Sequence, residues 1–470
     1  MNKNSTYPLL LREFFQVIEA QRRVFHQERT YQRALGLILG ELFTFARHTV
    51  TQGLLALGVT DADWSAWYRL LSRGRFDPEC ASECMMGETL KHVSREGPYV
   101  IGVDGVQVPR SSKKMPGTSW LKAPRTAAFK PGIHRAQRFV NLSWLVPLEE
   151  GFSRAIPLKW LPAYTAKAIP AAVEPHKEWE AGLQGIEWVR RQLDQAKRST
   201  QMILVLADGG FERVVEFWKQ LPERTVLLGR SARNRVLYEL PQYGGIGRPP
   251  DYGARAKKPS EWLRGKQGFE TTFIQVRGKA REMTYRIKGP YLRDGLPNHP
   301  VFLIVVRGID RKINGRRVKR DPAFYLVSAI LVNNQWALPF PAAFLLSWAW
   351  QRWELEVEHR ELKSGFGLGE KQCWNASSAT TSVQWSAWVY AMLLLAGYRS
   401  WGLLNGPSCP GRWWRGSKRW SFNTLWRAYR AAIWSASDFR AVWSGSGDNW
   451  LQKGDWIAGL WNSALGSVRS

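Results

Sequence analysis

Apolar residues in the first part of the chain recur three and four positions apart. Between Leu9 and Arg73 this is the dominant pattern, as in Leu35, Ile38, Leu42 and Phe45, and strand-like alternation is sparse. A small helical region is predicted there. Within it, Arg47-His48-Thr49-Val50-Thr51 opens an apolar helix that stops at Gly58. Thr60-Asp61 starts another, carrying Trp64, Trp67, Leu70 and Leu71. Two helices around a turn have the layout of a helix-turn-helix, which is also common in any packed helical domain.

From Pro98 the texture changes to short apolar runs separated by glycine or charged turns. Tyr99 to Asp104, Phe139 to Val146 and Ala155 to Leu161 read as strands. An amphipathic helix follows from His176 to Ala196, with Trp179, Leu183, Ile186, Val189 and Leu193 on one face. Met202 to Ala207 is a continuous apolar run of the kind buried on both faces of a sheet, and it ends at Asp208. Phe211 to Leu221 then reads as helix and Thr225 to Leu228 as strand. The order is that of an α/β fold with a mixed sheet flanked by helices.

After Arg230 the pattern breaks at a loop marked by Gly244, Gly245, Gly247, Pro249, Pro250 and Gly253. Alternating segments follow at Thr272 to Val276, Met283 to Ile287 and Val301 to Val306. Basic residues crowd this stretch, notably Arg311, Lys312, Arg316, Arg317, Lys319 and Arg320, as expected of a DNA-facing β-rich insertion or of a solvated hairpin. A helix from Ala343 to Phe366 and an apolar one from Trp385 to Leu395 complete the readable part. The expected organisation is a helical N-terminal DNA-binding domain over 1–95, a core split into 96–229 and 341–400, a β-rich insertion over 230–340, and a basic Trp-rich region over 401–470.

Charge narrows the range of partners. Lys and Arg number 67 against 39 Asp and Glu, a formal charge of +28 over 470 residues. Duplex DNA carries one negative charge per roughly 1.7 Å of axis, so dispersed basic segments suit a long nucleic-acid footprint. The four cysteines are too few and too scattered for a disulfide framework, and Cys80/Cys84 lacks the second pair of a zinc site. No apolar stretch reaches the length of a membrane span, and Met1 to Leu10 lacks the order of a signal peptide, so a cytoplasmic, nucleoid-associated protein is expected.

Asp104 and Asp208 each follow an apolar strand and precede glycine, which lets a ligand or backbone approach closely. Alone, either is as readily a turn former or a helix cap. Two such carboxylates in one α/β unit say more. On a helix, Arg352, Glu356, Arg360 and Lys363 fall at roughly 0°, 40°, 80° and 20°, one stripe of mixed charge that also suits a solvated, ion-paired face.

The spacing Arg352, three residues, Glu356, six residues, Lys363 resembles the latter part of the YREK signature of bacterial insertion-sequence transposases of the DDE class. Arg352-Trp353-x-Leu355-Glu356 is similar to its Arg-Trp-x-Ile-Glu core. Val103-Asp104-Gly105 and Ala207-Asp208-Gly209 match the first two acidic positions, so the resemblance runs from Pro98 to Gln372. It departs where the signature tyrosine should stand: that position is Ala349, and the neighbouring Trp348 is the expected substitute contact to the DNA backbone, without a phenol hydroxyl. The resemblance implies a ribonuclease-H-like core in which Asp104, Asp208 and Glu356 hold two Mg²⁺ ions, replaceable by Mn²⁺, about 3.5–4 Å apart. It implies Arg352, Lys363 and Arg360 as phosphate contacts, and a homodimer cutting terminal inverted repeats and joining them to target DNA. Trp336 and Trp262 are candidates for the base-stabilising tryptophan of some relatives, although core roles suit both. His359 is expected beside DNA or solvent rather than on a metal. The alternatives are a non-catalytic DNA-binding descendant and a ribonuclease-H-like nuclease without strand transfer.

Overall fold

The computed structural model describes residues 8–45, 47–59, 62–123, 132–166, 176–245, 247–265, 267–313, 316–373, 375–407 and 419–435. Five helices come first: α1 (Leu9–Glu19), α2 (Glu28–Phe43), α3 (Val50–Ala56), α4 (Ser65–Ser72) and α5 (Pro78–Leu90). Thr49 caps α3 by accepting from the Gln52 amide, as its position before the apolar run requires. Thr60 and Asp61 lie outside the described residues, and the second helix begins instead at Ser65, whose amide donates to the Asp63 carboxylate at 2.8 Å.

The sheet is built from β1 (Tyr99–Pro109), β2 (Thr118–Lys122), β3 (Ile133–Leu145), β4 (Ala155–Pro162), β5 (Ile203–Ala207) and β6 (Thr225–Arg230). Strand β1 lies parallel to β5 and antiparallel to β3. Strand β5 is parallel to β6, and β4 extends the sheet beyond β3. This order, β4-β3-β1-β5-β6, is a ribonuclease-H-like mixed sheet, and the fold class is the one expected. Helix α6 (Glu178–Gln195) makes the crossover between β4 and β5. The helix expected over Phe211 to Leu221 is two short ones, α7 (Gly209–Glu212) and α8 (Val215–Lys219). The break has a local cause: the Glu212 carbonyl accepts from the Trp218 indole at 2.7 Å and from Arg293 at 2.8 Å, in place of a helical amide.

The β-rich stretch is not a separate sheet. Strands β7 (Glu270–Val276), β8 (Lys279–Arg293) and β9 (Leu296–Val306) continue the central one, hairpin β10 (Ile309–Ile313) and β11 (Arg316–Arg320) projects from it, and β12 (Ala323–Ser328) pairs antiparallel with both β6 and β9. A small hairpin, β13 (Ile330–Val332) and β14 (Gln335–Ala337), leads into α9 (Ala342–Gln351). Helix α10 (Trp353–Arg360) continues α9 after a turn at Arg352 and ends in a π turn over Glu361–Gly365. Then come α11 (Ala376–Trp401) and α12 (Phe422–Ser435).

The two faces of the sheet have different covers. Ile101, Val103, Ile203 and Val205 point into a core shared with α6, α11 and the N-terminal helices, whereas Val100, Leu204 and Leu206 join Leu345, Leu346 and Leu355 of α9 and α10. Helix α11 is apolar around much of its girth and buried accordingly. Its Trp385 and Trp388 indoles donate to Glu41 and Gln21, tying α1 and α2 to the sheet. No helix among the described residues is long and apolar enough to cross a membrane.

Candidate active site

Asp104, midway along β1, and Asp208, just past the end of β5, are neighbours because their strands are in register, with Val103 opposite Ala207. Side chains alternate along a strand, so Asp104 follows Val100 and Gly102 onto the face covered by α9 and α10. Asp208 caps α7: its Oδ1 accepts from the amides of Gly210 at 2.8 Å and Phe211 at 3.2 Å. Burial, then the charge of Asp208, push the Asp104 carboxyl up to about 7, and Glu356 adds a smaller effect of the same sign. The two aspartates therefore act as an electrostatic pair.

Helix α10 approaches closely because position 102 has no side chain; a Cβ there would lie 2.7 Å from Cδ1 of Leu355. This packing sets the next residue, Glu356, near enough to Asp104 for its charge to be felt there. Glu356 Oε1 lies 2.6 Å from Arg352 Nη2, one turn back. The neighbouring carboxylates have other partners: Glu354 is held by Arg419, Glu361 by Arg154 and Tyr390, and Glu358 by Asn141 and Ser143. Arg360 is exposed on the same helix. Lys363 lies in the π turn, whose wider pitch moves it off the straight stripe that a regular helix predicts.

The expected places of Trp348 and His359 change. Trp348 is 4% exposed and packs in the core beneath the sheet, so it cannot replace the missing tyrosine at the DNA backbone; as the helix turns, its large ring points to the apolar side. Trp336 is exposed on the β13–β14 hairpin rather than in a core. Trp262 is partly buried, with Lys288 4.8 Å and Lys257 5.3 Å from its ring centre. His359 does not face solvent. It lies in the site with Nδ1 4.0 Å from Asp104 Oδ2, and Nε2 3.2 Å from Asn141 Nδ2. Burial, then Lys363 and Arg352, hold the imidazole down at about 3, so it is neutral. Asn141 can only donate through Nδ2, which leaves the His359 proton on Nδ1, toward Asp104.

Asn141 and Ser143 alternate with apolar neighbours on β3, and Asn141 stands opposite Asp104. They donate to Glu358 at 2.8 and 2.6 Å, while burial pushes its carboxyl up to about 8. Sequence reasoning missed this network. Its signal was two polar residues at alternate positions inside an apolar run. Also missed was a cleft of about 430 Å³ between the α9–α10 junction and the outer strands, lined by Arg230, Arg277, Arg281 and Arg320 together with Arg352. Ala349, where the signature tyrosine would stand, lines the same cleft and leaves it open.

The oxygens of Asp104 and Asp208 suit a hard divalent cation. The three acids together do not fit one as they stand: Glu356 is paired with Arg352, and no group of three or more His, Cys, Asp or Glu side chains among the described residues is gathered tightly enough to hold a metal ion.

Comparison with known proteins gives one finding. No curated protein matches the chain significantly. The family model described as DDE superfamily endonuclease matches residues 13–289, which is more than half of the chain and takes in Asp104 and Asp208, ending before the helix of Glu356. With two neighbouring aspartates, one within β1 and one just past the end of β5, on a ribonuclease-H-like sheet, the chain belongs to the DDE superfamily of endonucleases.

Proposed function

We propose that this endonuclease is a DNA transposase that cleaves the ends of its element and transfers them to target DNA. Asp104, Asp208 and Glu356 are the catalytic acids, and Mg²⁺ or Mn²⁺ is the cofactor, whose binding requires Glu356 to leave Arg352. The observation that carries the reading is the adjacency of Asp104 and Asp208 where the parallel pairing of β1 and β5 ends, with Glu356 on the helix packed across β1. Arg352, Arg360 and Lys363 hold phosphates near the scissile bond, where charge-assisted contacts orient the strand. Neutral His359, with Nδ1 4.0 Å from Asp104 Oδ2, stands beside that carboxylate and is itself held by Asn141. The N-terminal helices and the basic β-rich stretch grip terminal inverted repeats, with the exposed Trp336 available to stack on a base, and two copies act together on paired ends.

Asp104→Asn, Asp208→Asn and Glu356→Gln are each expected to abolish Mn²⁺-dependent cleavage of a DNA carrying the element's end, with DNA binding retained. Undiminished cleavage by all three refutes the proposal. The Arg352–Glu356 pair also suits a descendant that binds DNA without chemistry; for that reading, the wild type binds the end and never nicks it. A nuclease without transfer would leave the freed 3′ hydroxyl unjoined to a second DNA.

A further inference from the structure

Arg352 has two neighbours of opposite kinds. Its Nη2 holds Oε1 of Glu356 at 2.6 Å, and the residue also lines the cleft shared with Arg230, Arg277, Arg281 and Arg320. Five guanidinium groups meet there around two carboxylates, Asp321 and Glu354, and the second of these is already held by Arg419. Like charges crowd one another in the recess: burial, then Arg281, lower the pKa of Arg320. Trp350 and Trp353 line one side, with Arg281 5.4 Å from the Trp350 ring centre, so the recess offers cations beside flat apolar surface. Such a recess favours an anion, and a phosphodiester carries oxygens that a guanidinium grips in pairs.

Resting on Glu356 as the third acid, we propose that a DNA phosphate entering this cleft draws Arg352 away from Glu356, so that substrate binding frees the carboxylate that completes the acidic site. The exchange is between two charge-assisted contacts of one guanidinium, so Arg352 is paired in both states while the Glu356 carboxylate is released to a cation. In the DNA-free state Arg352 neutralises Glu356 and keeps it out of a cluster with Asp104 and Asp208, where like charges would repel. With the phosphate in place, the free carboxylate adds a third negative group to that cluster and raises its affinity for a divalent cation. Linkage makes the effect mutual: the cation tightens DNA binding by the same factor. A protein wired in this way holds its cations weakly until DNA is bound, which limits stray cleavage.

The test is Mn²⁺ binding, read by electron paramagnetic resonance of the free ion, with and without a short duplex of arbitrary sequence. Glu356→Gln with the same duplex subtracts the Mn²⁺ bound by DNA itself. For the wild type, the duplex is expected to tighten Mn²⁺ binding by roughly 5–150-fold, the usual span of coupling between sites. Arg352→Gln is expected to bind Mn²⁺ tightly without DNA and to gain little on adding it. Arg277→Gln combined with Arg281→Gln, which leaves the latch itself intact, is expected to keep the weak DNA-free binding and to need more DNA for the gain. If Glu356→Gln lowers DNA-bound Mn²⁺ affinity while neither DNA nor Arg352→Gln changes it in the way described, the latch is overturned and the catalytic reading survives. If Glu356→Gln leaves DNA-bound Mn²⁺ affinity unchanged, the assignment of Glu356 as third acid falls, and the latch with it.

Discussion

Replacing Gly102 by alanine tests how helix α10, which carries the proposed third acid, is seated. The added Cβ would lie 2.7, 2.8 and 3.0 Å from Cδ1, Cδ2 and Cγ of Leu355, which is fully buried. Carbon atoms pack at about 3.5–4.0 Å, so helix α10 must retreat by roughly 1 Å or Leu355 must leave its rotamer. Overpacking of this kind costs about 1–3 kcal/mol. The same shift carries Glu356, the next residue and the proposed third acid, away from Asp104, and a displacement of about 1 Å at such a group is expected to lower rates by roughly 100-fold. Thermal and guanidinium unfolding measure the first effect, and Mn²⁺-dependent end cleavage the second. The cycle is closed with Leu355→Ala, which alone is expected to cost about 2–5 kcal/mol by leaving a cavity. In the double variant the new methyl group occupies part of that cavity, so the combined cost should fall short of the sum by more than about 1 kcal/mol. Costs that add to within about 0.5 kcal/mol, or a Gly102→Ala protein with wild-type stability and cleavage, would show that the close approach at Gly102 does not seat the helix.

Two further predictions concern buried charge. Lys371 and Glu41 are almost completely buried and lie 3.0 Å apart, so Lys371→Met leaves an unpaired carboxylate and should cost about 3–5 kcal/mol in guanidinium unfolding, most of it recovered by adding Glu41→Gln. No recovery in the double variant would count against the pair. Burial pushes Glu358 up to about 8, above its unfolded value, so its stabilising proton is fully held below about 4.3 and its contribution is lost as pH rises through 8. Glu358→Gln should therefore gain stability over the wild type between pH 5 and pH 8, by an amount on the order of 1.4 kcal/mol per pH unit at most, and a constant difference would refute the assignment.

Hydrophobic periodicity located the strands that carry the chemistry because those strands are buried on both faces, and such strands leave unbroken apolar runs in the sequence. Tyr99 to Asp104 and Met202 to Asp208 were legible for that reason, and strand register then placed the two aspartates side by side. Strand β12 was not legible. One of its partners, β6, lies far from it in sequence and the other, β9, beyond an intervening hairpin, so nothing local marks it as the strand that joins the outer half of the sheet to the inner. The stripe of Arg352, Glu356, Arg360 and Lys363 was legible only as an ideal helix, and the turn at Arg352 and the π turn after Arg360 come from packing, which spacing does not record. Trp348 was misplaced by the same route: beside a missing signature residue it reads as a substitute, yet a ring of that size next to Leu345 and Leu346 is drawn into the core. The neutral His359 depended on Asn141 from a distant strand, a contact between residues 218 positions apart.

The deeply buried helix α11 constrains how the molecule meets DNA. Trp385 and Trp388 fasten it to Glu41 and Gln21, and the N-terminal helices share its core. They therefore cannot swing out on a tether to search for a sequence while the catalytic body waits behind. Whatever those helices recognise must present itself at a fixed distance and angle from the acidic residues, so the spacing between a recognised site and a cut should tolerate little variation.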